Sequence, residues 1–204
     1  ATNSILLKKS VQLFDPIVSI LQAQLNTNVV MKTNQELKRN IIILAIIIIG
    51  AATRFFIDIP NFTAIGAIAL FSGAFFKDKK LAFALPLGIL FLTDLFLGLH
   101  STFIFVYISF AMIILIGFYL SKNKSPVRVI TASLTGSVLF YLVTNLGVWI
   151  IGMGISPSLV GVYVDGLPFF RNMIAGDMLF NAVFFTAGYL VIERNFALAR
   201  VNER

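Results

Sequence analysis

The segment Gly166-Leu-Pro-Phe-Phe-Arg-Asn-Met-Ile-Ala-Gly-Asp-Met-Leu-Phe-Asn181 carries several polar side chains in an otherwise apolar run near the end of the chain. Its first residues, with Gly166 and Pro168, are typical of a turn, and the remainder has the composition of a membrane-spanning helix. A charged side chain such as Asp177 costs about 2.5 to 3.5 kcal/mol in the centre of a bilayer, so we expect it to have partners in the protein or a ligand.

The composition of the whole chain agrees with a membrane protein. Of the 204 residues, 58% are hydrophobic and only 12% are charged, and the mean hydropathy is +0.93. Soluble domains are closer to one quarter charged. There is no cysteine and only one histidine, so disulfides and thiolate catalysis are excluded, and we predict no metal site and no cofactor.

Six hydrophobic runs follow Asn40 and predict an all-α, polytopic membrane protein with six transmembrane helices. They cover about residues 41–57, 62–76, 81–99, 102–120, 127–152 and 170–192. The second run is short and rich in glycine and alanine, which allow helices to approach closely, so we expect it in the centre of the bundle.

The lysines and arginines predict the orientation of these helices. The net charge is +7, and the basic residues fall between alternate hydrophobic runs, which favours a topological role over binding to nucleic acid. The positive-inside rule therefore predicts cytoplasmic positions for both termini and for the following residues: Lys32, Lys38, Arg39, Lys77, Lys79, Lys80, Lys122, Lys124, Arg128, Arg194, Arg200 and Arg204.

Residues 1–31 differ from the six-helix domain at 32–204 by their mixed polar and apolar composition. Their spacing of apolar residues predicts a pair of amphipathic helices at the membrane surface, broken near Pro16. Met31 has the position of a native start, so an alternative is that residues 1–30 are an extension that is not native.

Polar and aromatic residues from separate segments fall at one depth, near the predicted outer ends of the helices. Asp94 lies roughly 8 Å deep in the third run at 1.5 Å per residue, and His100 follows at the mouth of that helix. On the fifth run, Tyr141, Asn145 and Trp149 are spaced four apart and share a face. We therefore predict a ligand pocket formed by Asn61, Asp94, His100, Asn145, Trp149, Phe169, Phe170, Arg171, Asn172, Asp177 and Asn181.

In such a pocket the two aspartates would bind donors or positive charge, and Asn145 and Asn172 would add directional hydrogen bonds. The aromatic residues would enclose an apolar ring, and Arg171 would pair with an aspartate or receive a ligand carboxylate or phosphate. The loop at 153–168 is expected to fold over the pocket as a lid, or else to be a compact connector at the membrane interface.

The same residues also fit purely structural roles. Arg54 and Arg171 could neutralise Asp94 and Asp177 in ion pairs, and the asparagines could bridge helices. Trp149 is typical of an interfacial aromatic residue.

Catalysis is not predicted, because no nucleophile motif, zinc-protease motif or phosphate-binding loop occurs. A membrane-embedded enzyme that uses His100 and Asp94 is the weakest alternative. We therefore expect that the chain is not an enzyme and has no catalytic residues.

Several short motifs resemble those of a known family. They are Pro60-Asn61-Phe62-Thr63-Ala64-Ile65-Gly66-Ala67, Thr93-Asp94-Leu95 with Gly98 and His100, Thr144-Asn145 with Trp149, Gly166-Leu167-Pro168-Phe169-Phe170-Arg171-Asn172, and Gly176-Asp177. Together they resemble an uncharacterised family of bacterial six-helix integral membrane proteins. That family is in turn similar to the substrate-binding (S) components of energy-coupling factor (ECF) vitamin transporters.

This resemblance implies an S-component-like helical bundle in the bacterial cytoplasmic (inner) membrane, with an outward-facing pocket for a vitamin-like micronutrient. It also implies that a separate coupling subunit and ATPases supply the energy. The predicted function is therefore substrate capture for a membrane transporter, with the lipid bilayer, a small-molecule ligand and such subunits as partners. The alternative is an accessory or structural subunit of a larger membrane protein complex, with residues 1–31 as a docking arm.

Overall fold

The computed structural model describes residues 2–194, and it describes side chains for residues 18–192. This part of the chain is all-helical and has no β-strand. The six α-helices are α1 (Thr2–Ala52), α2 (Ile65–Phe75), α3 (Lys79–Leu97), α4 (Phe103–Leu120), α5 (Pro126–Ile151) and α6 (Leu159–Ala187). A short 3₁₀-helix, Thr53–Phe55, follows α1, and a π-helix, Gly188–Arg194, continues α6.

Four helical segments are long and apolar enough to cross a membrane, which indicates a membrane protein. They are Lys79–Leu97, Phe103–Leu120, Pro126–Ile151 and Leu159–Ile192, and they correspond to the last four predicted spans. The helix α2 has 11 residues, a length of roughly 16 Å at 1.5 Å per residue. A bilayer core is about 30 Å thick, so α2 does not span it by its own length.

The short helix α2 lies in the centre of the bundle, as its small residues predict. Every one of its residues is buried. Its closest neighbour is α4, because a Cβ atom on Gly73 would lie 2.2 Å from the carbonyl oxygen of Ile114, and one on Gly117 would lie 2.4 Å from that of Leu70. The backbones meet where both helices carry glycine, and the neighbouring helices cover the rest of α2.

Basic residues gather at one end of this bundle, which we call the basic end. There the ammonium of Lys79 lies 5.7 Å from the centre of the Phe118 ring, and that of Lys124 lies 5.0 Å from the centre of the Phe75 ring. The other end of the bundle, where α5 ends and α6 begins, is called the opposite end below.

The first helix continues through Pro16, where the sequence predicts a break. Residues up to Ile41 form one compact unit and residues from Ile42 onwards form another. In the second unit, Ile43 and Ile47 are fully buried. The side chains of residues 1–17 lie outside the described part, as do Arg200 and Arg204, so the predicted amphipathic face and the C-terminal basic residues have no structural description.

The last helix begins much earlier than its sequence suggests. Pro168 and Gly166 predict a turn, but both lie inside α6, which starts at Leu159. Ser158 is its N-cap, and the Ser158 hydroxyl accepts a hydrogen bond of 3.0 Å from the backbone N–H of Gly161. The predicted lid at 153–168 is therefore wrong in its second half, which is helical, and only the short connection before Leu159 remains non-helical.

Candidate functional site

A cavity of about 390 Å³ lies at the opposite end of the bundle, and we call it the aromatic cavity. It is formed by the segment before α2, the connection between α3 and α4, and facing sides of α4, α5 and α6. The lining residues are Asn61, His100, Thr102, Val106, Phe140, Tyr141, Thr144, Asn145, Val148, Met153, Gly154, Ile155, Val162, Asp165, Gly166, Phe169, Phe170 and Met173.

Aromatic rings from α5 and α6 form one side of the cavity. The rings of Tyr141 and Phe170 are stacked, with centroids 4.5 Å apart and an angle of 26° between their planes. The ring of Tyr163 meets Tyr141 edge-on at 5.5 Å. The Tyr141 hydroxyl donates to the carbonyl oxygen of Tyr163, and the Tyr163 hydroxyl donates to that of Leu142 at 2.7 Å. These bonds fix the tyrosine rings against two helices.

Asn145 is the central polar residue of the α5 wall. Its Nδ2 donates a hydrogen bond of 2.8 Å to the Tyr141 carbonyl oxygen, one turn earlier on the same helix. A Cβ atom on Gly166 would lie 2.5 Å from Asn145 Oδ1, so the amide occupies the place that a side chain at position 166 would fill. Glycine at this position lets α6 approach α5 and holds the amide between them.

Asn61 enters the cavity from the segment before α2. Its backbone has a φ angle of 59°, the left-handed conformation that is uncommon for residues other than glycine. Beside it, the Asn172 side chain on α6 donates a hydrogen bond of 3.1 Å to the carbonyl oxygen of Pro60. Asn172 is outside the lining but anchors the segment that carries Asn61.

Asp165 is an exposed acidic residue on the cavity lining, in the first turns of α6. Its Oδ2 accepts hydrogen bonds from Ser156, at 3.2 Å from the backbone nitrogen and 2.7 Å from the hydroxyl. These bonds tie the connection between α5 and α6 to the helix that follows it, and they fix the position of the carboxylate.

Asp94 is fully occupied by partners inside the protein. It is 1% exposed, and its Oδ1 forms an ion pair of 2.8 Å with the guanidinium of Arg54. Its Oδ2 accepts a hydrogen bond of 3.0 Å from the Tyr107 hydroxyl, and Arg54 also donates to the Thr93 hydroxyl. Asp94 does not line the aromatic cavity. It connects the end of α1 to α3 and α4, which is the structural role given above as the alternative.

Asp177 and Asn181 belong to a buried polar chain deeper in the bundle. Ser137 Oγ lies 2.7 Å from Asp177 Oδ2 and 3.0 Å from the carbonyl oxygen of Ser133, so its single hydrogen can serve either acceptor. Asn181 Nδ2 donates to Ser133 Oγ at 2.9 Å, and Asn181 Oδ1 is buried with no hydrogen-bond partner. Neither residue lines the aromatic cavity.

The carboxylate of Asp177 also lies against the first turn of α2. A Cβ atom on Gly66 would lie 2.2 Å from Asp177 Oδ1. The predicted ion pair between Arg171 and Asp177 is not formed: Arg171 is exposed, and the side chain that contacts the Asp177 carboxylate is that of Ser137. The N-terminal end of a helix favours a nearby negative charge, so α2 takes part of the role that a basic side chain would have.

The structure thus brings five of the predicted site residues together in the cavity lining: Asn61, His100, Asn145, Phe169 and Phe170. It places Trp149 and Arg171 outside the cavity, both exposed at the opposite end. The lining residues Tyr141, Thr144 and Asp165 were not among the predicted site residues. Asp165 and the other lining residues of α6 recur at helical spacing. The sequence indicates this only if the helix is taken to start before them.

A larger groove of about 740 Å³ lies at the basic end, between the beginning of α5 and the end of α6. Its lining is mostly apolar and includes the residues Phe75, Val129, Ile130, Met178, Phe185 and Leu190. Ser133 and Asn181 are its buried polar residues, and Lys124 lies at its end.

Among the described side chains, no group of three or more histidine, aspartate or glutamate residues is placed to hold a metal ion.

No curated protein and no solved structure matches the chain. A family model described as a family of unknown function, DUF6580, matches residues 34–199. Because this match covers most of the sequence, the chain belongs to the DUF6580 family.

Proposed function

We propose that this protein is the substrate-capture component of a membrane transporter for a vitamin-like micronutrient, and that the aromatic cavity is its ligand site. The observation that carries the proposal is the cavity itself. Residues that are far apart in sequence, such as Asn61, His100 and Asn145, line one space of about 390 Å³ together with stacked aromatic rings. An apolar, aromatic lining with a few fixed polar groups is the usual composition of a small-molecule site.

The proposal includes a six-pass topology with both termini in the cytoplasm and a location in a bacterial inner membrane. The grouping of Lys79 and Lys124 at the basic end supports it, because basic residues favour the cytoplasmic side. The aromatic cavity then opens towards the outside. In this topology α1 and α2 are the first two passes, and the burial of all α2 residues lets a helix shorter than the bilayer remain inside it.

Transport requires energy. The described residues contain no known nucleotide-binding motif that could supply it. The resemblance to ECF S components supports a separate coupling subunit with ATPases as the energy source. The chain would then capture the ligand, and its partners would drive the release to the other side.

A second candidate is an accessory subunit of a larger membrane complex. The groove at the basic end favours it, because its apolar lining opens between α5 and α6 and several of its residues, such as Ile130 and Leu190, are exposed. A transmembrane helix of another subunit would cover these residues and bring a polar group towards Asn181.

Native mass spectrometry of the protein, released from its own membrane, distinguishes the two. Substrate capture predicts that the chain carries a bound small molecule, whether or not further subunits are bound as well. The accessory role predicts a stable complex with other membrane subunits and no small molecule. A chain that carries neither a ligand nor a partner contradicts both proposals.

A further inference from the structure

We infer that the ligand of the aromatic cavity is a small organic cation that donates hydrogen bonds, such as an aromatic ammonium compound, and not a carboxylate or a phosphate. This inference rests on the proposed function, because it concerns the same cavity. Three independent features of the lining indicate the charge and the hydrogen-bonding character of the substrate.

The first feature is the charge of the lining residues. Among the described residues that line the cavity there is no lysine and no arginine, whereas Asp165 is acidic. The nearby arginines do not change this, because Arg54 is paired with Asp94 and Arg171 lies outside the cavity. An anionic ligand would lose its hydration and gain no lysine or arginine partner, with His100 as the only other basic side chain of the lining, which is unfavourable. A cation, in contrast, has the Asp165 carboxylate as its partner.

The second feature is that most donor hydrogens on the α5 wall are already used, one of the two on Asn145 Nδ2 being the exception. Asn145 Nδ2 donates to the Tyr141 carbonyl oxygen, Thr144 Oγ1 donates to the Phe140 carbonyl oxygen at 2.7 Å, and the Tyr141 hydroxyl donates to Tyr163. Their remaining capacity is mainly that of acceptors: Asn145 Oδ1 accepts no hydrogen bond from the described residues, and both hydroxyl oxygens keep lone pairs. On this wall the ligand must therefore supply most of the hydrogens, as ammonium and protonated ring nitrogens do.

The third feature is the aromatic part of the lining. Tyr141, Phe169 and Phe170 bring three π systems to one cavity, and a cation over an aromatic face is attracted by the ring quadrupole. The attraction increases where water is excluded. The same rings would also accept a neutral ring by stacking, but only a cation gains from the rings, the acceptors and Asp165 together.

The cavity volume limits the size of this cation. At roughly 30 Å³ per water molecule, a volume of 390 Å³ corresponds to about 13 waters. A compound with one or two rings and a short ammonium-bearing chain fits within this volume.

Matched series of ligands test the inference on the full-length chain in lipid nanodiscs. Each series has an ammonium, a neutral amide and a carboxylate on the same ring: benzylamine, benzamide and benzoate, and tryptamine, indole-3-acetamide and indole-3-acetate. Binding is measured by ligand-detected NMR at constant ionic strength. We expect the ammonium compounds to bind at least about tenfold more tightly than the carboxylates.

Two isosteric variants show whether the preference comes from the cavity. Asp165→Asn keeps the shape and an acceptor but removes the charge, so the preference for ammonium over carboxylate should fall to about threefold or less, with little change for the amides. Asp58→Asn removes an exposed acidic residue outside the cavity lining and should leave the preference unchanged.

The outcomes separate this inference from the proposed function. Equal or tighter binding of the carboxylates overturns the inference but leaves substrate capture in place. An equal effect of Asp58→Asn also overturns it, because the preference would then be a long-range effect of surface charge. If none of the six compounds binds better to the wild-type chain than to Val148→Trp, which fills the cavity, the inference is overturned. Substrate capture is then decided by native mass spectrometry, where a small molecule bound to the chain supports it and an empty chain contradicts it.

Discussion

The side-chain amide of Asn145 on α5 rests on the backbone of Gly166 on α6, in the wall of the aromatic cavity. A Cβ atom at position 166 would be 2.5 Å from Asn145 Oδ1. This contact couples the packing of the two helices to the position of the main polar group in the cavity. Stability and ligand binding should therefore depend on the same glycine.

Gly166→Ala should destabilise the protein by about 1 to 3 kcal/mol, because the added methyl group forces α5 and α6 apart or displaces Asn145. Ligand affinity should fall with it. The measurement is the thermal unfolding midpoint in nanodiscs together with a binding titration. Gly88→Ala is the matched control, because a Cβ there meets no atom within 4 Å, and it should be neutral or slightly stabilising. Equal effects of the two variants would contradict the packing argument.

Removal of the Arg54 side-chain charge should be among the most destabilising single changes in the chain. Arg54→Gln leaves the Asp94 carboxylate buried without its ion-pair partner, and such a change costs about 3 to 5 kcal/mol. The double variant Arg54→Leu with Asp94→Leu should recover much of this loss. Denaturant unfolding in mild detergent measures both.

The control for that prediction is Lys122→Gln, which removes an exposed charge with no ion pair among the described side chains. It should change stability by less than about 0.5 kcal/mol. A cost for Arg54→Gln as small as that of Lys122→Gln would show that the ion pair contributes little.

Asn172→Ala should weaken ligand binding although the residue is outside the cavity lining. Without its 3.1 Å hydrogen bond to Pro60, the segment that holds Asn61 in a left-handed conformation loses an anchor. We expect a stability loss of about 0.5 to 1.5 kcal/mol and a larger proportional loss of affinity. Thr135→Ala removes an exposed side-chain bond to the backbone of α5 and should leave affinity unchanged. Unchanged affinity in Asn172→Ala would show that the anchor does not matter for binding.

The absence of cysteine from the sequence makes the proposed topology directly testable. Ile155→Cys places one thiol in the connection between α5 and α6, where the side chain is 94% exposed. Ser121→Cys places one at the basic end, after α4. A membrane-impermeant maleimide should label Ile155→Cys in intact cells and Ser121→Cys only after lysis. The reverse pattern would invert the topology, and the aromatic cavity would then open to the cytoplasm.

The sequence predicts the ends of α3, α4 and α5 to within two residues, because their apolar runs are bounded by lysines, glycines or Pro126. It misplaces the start of α6, because proline usually ends a helix and Pro168 instead lies within one. The N-cap signal at Ser158 was present in the sequence. A helix that starts at Leu159 would have placed Asp165 and Phe169 on one face.

The partners of the buried charges could not be predicted from sequence. Two arginines and two aspartates fall near the same depth, and sequence alone allows each arginine to pair with either acid. In the structure Arg54 forms an ion pair with Asp94, whereas the Asp177 carboxylate contacts the first turn of α2 and the hydroxyl of Ser137. Only three-dimensional packing decides this, because the residues come from separate helices.

Substrate capture is tested most directly by the small-molecule occupancy of the aromatic cavity, measured by native mass spectrometry on the chain released from its native membrane. Val148→Trp fills the cavity from α5, and Ile150→Trp places the same side chain on an exposed α5 position outside the lining. If the chain captures a substrate in this cavity, a small molecule should be bound to the wild type and to Ile150→Trp and should be lost in Val148→Trp. Equal occupancy in all three proteins, or none in the wild type, would contradict substrate capture in the aromatic cavity.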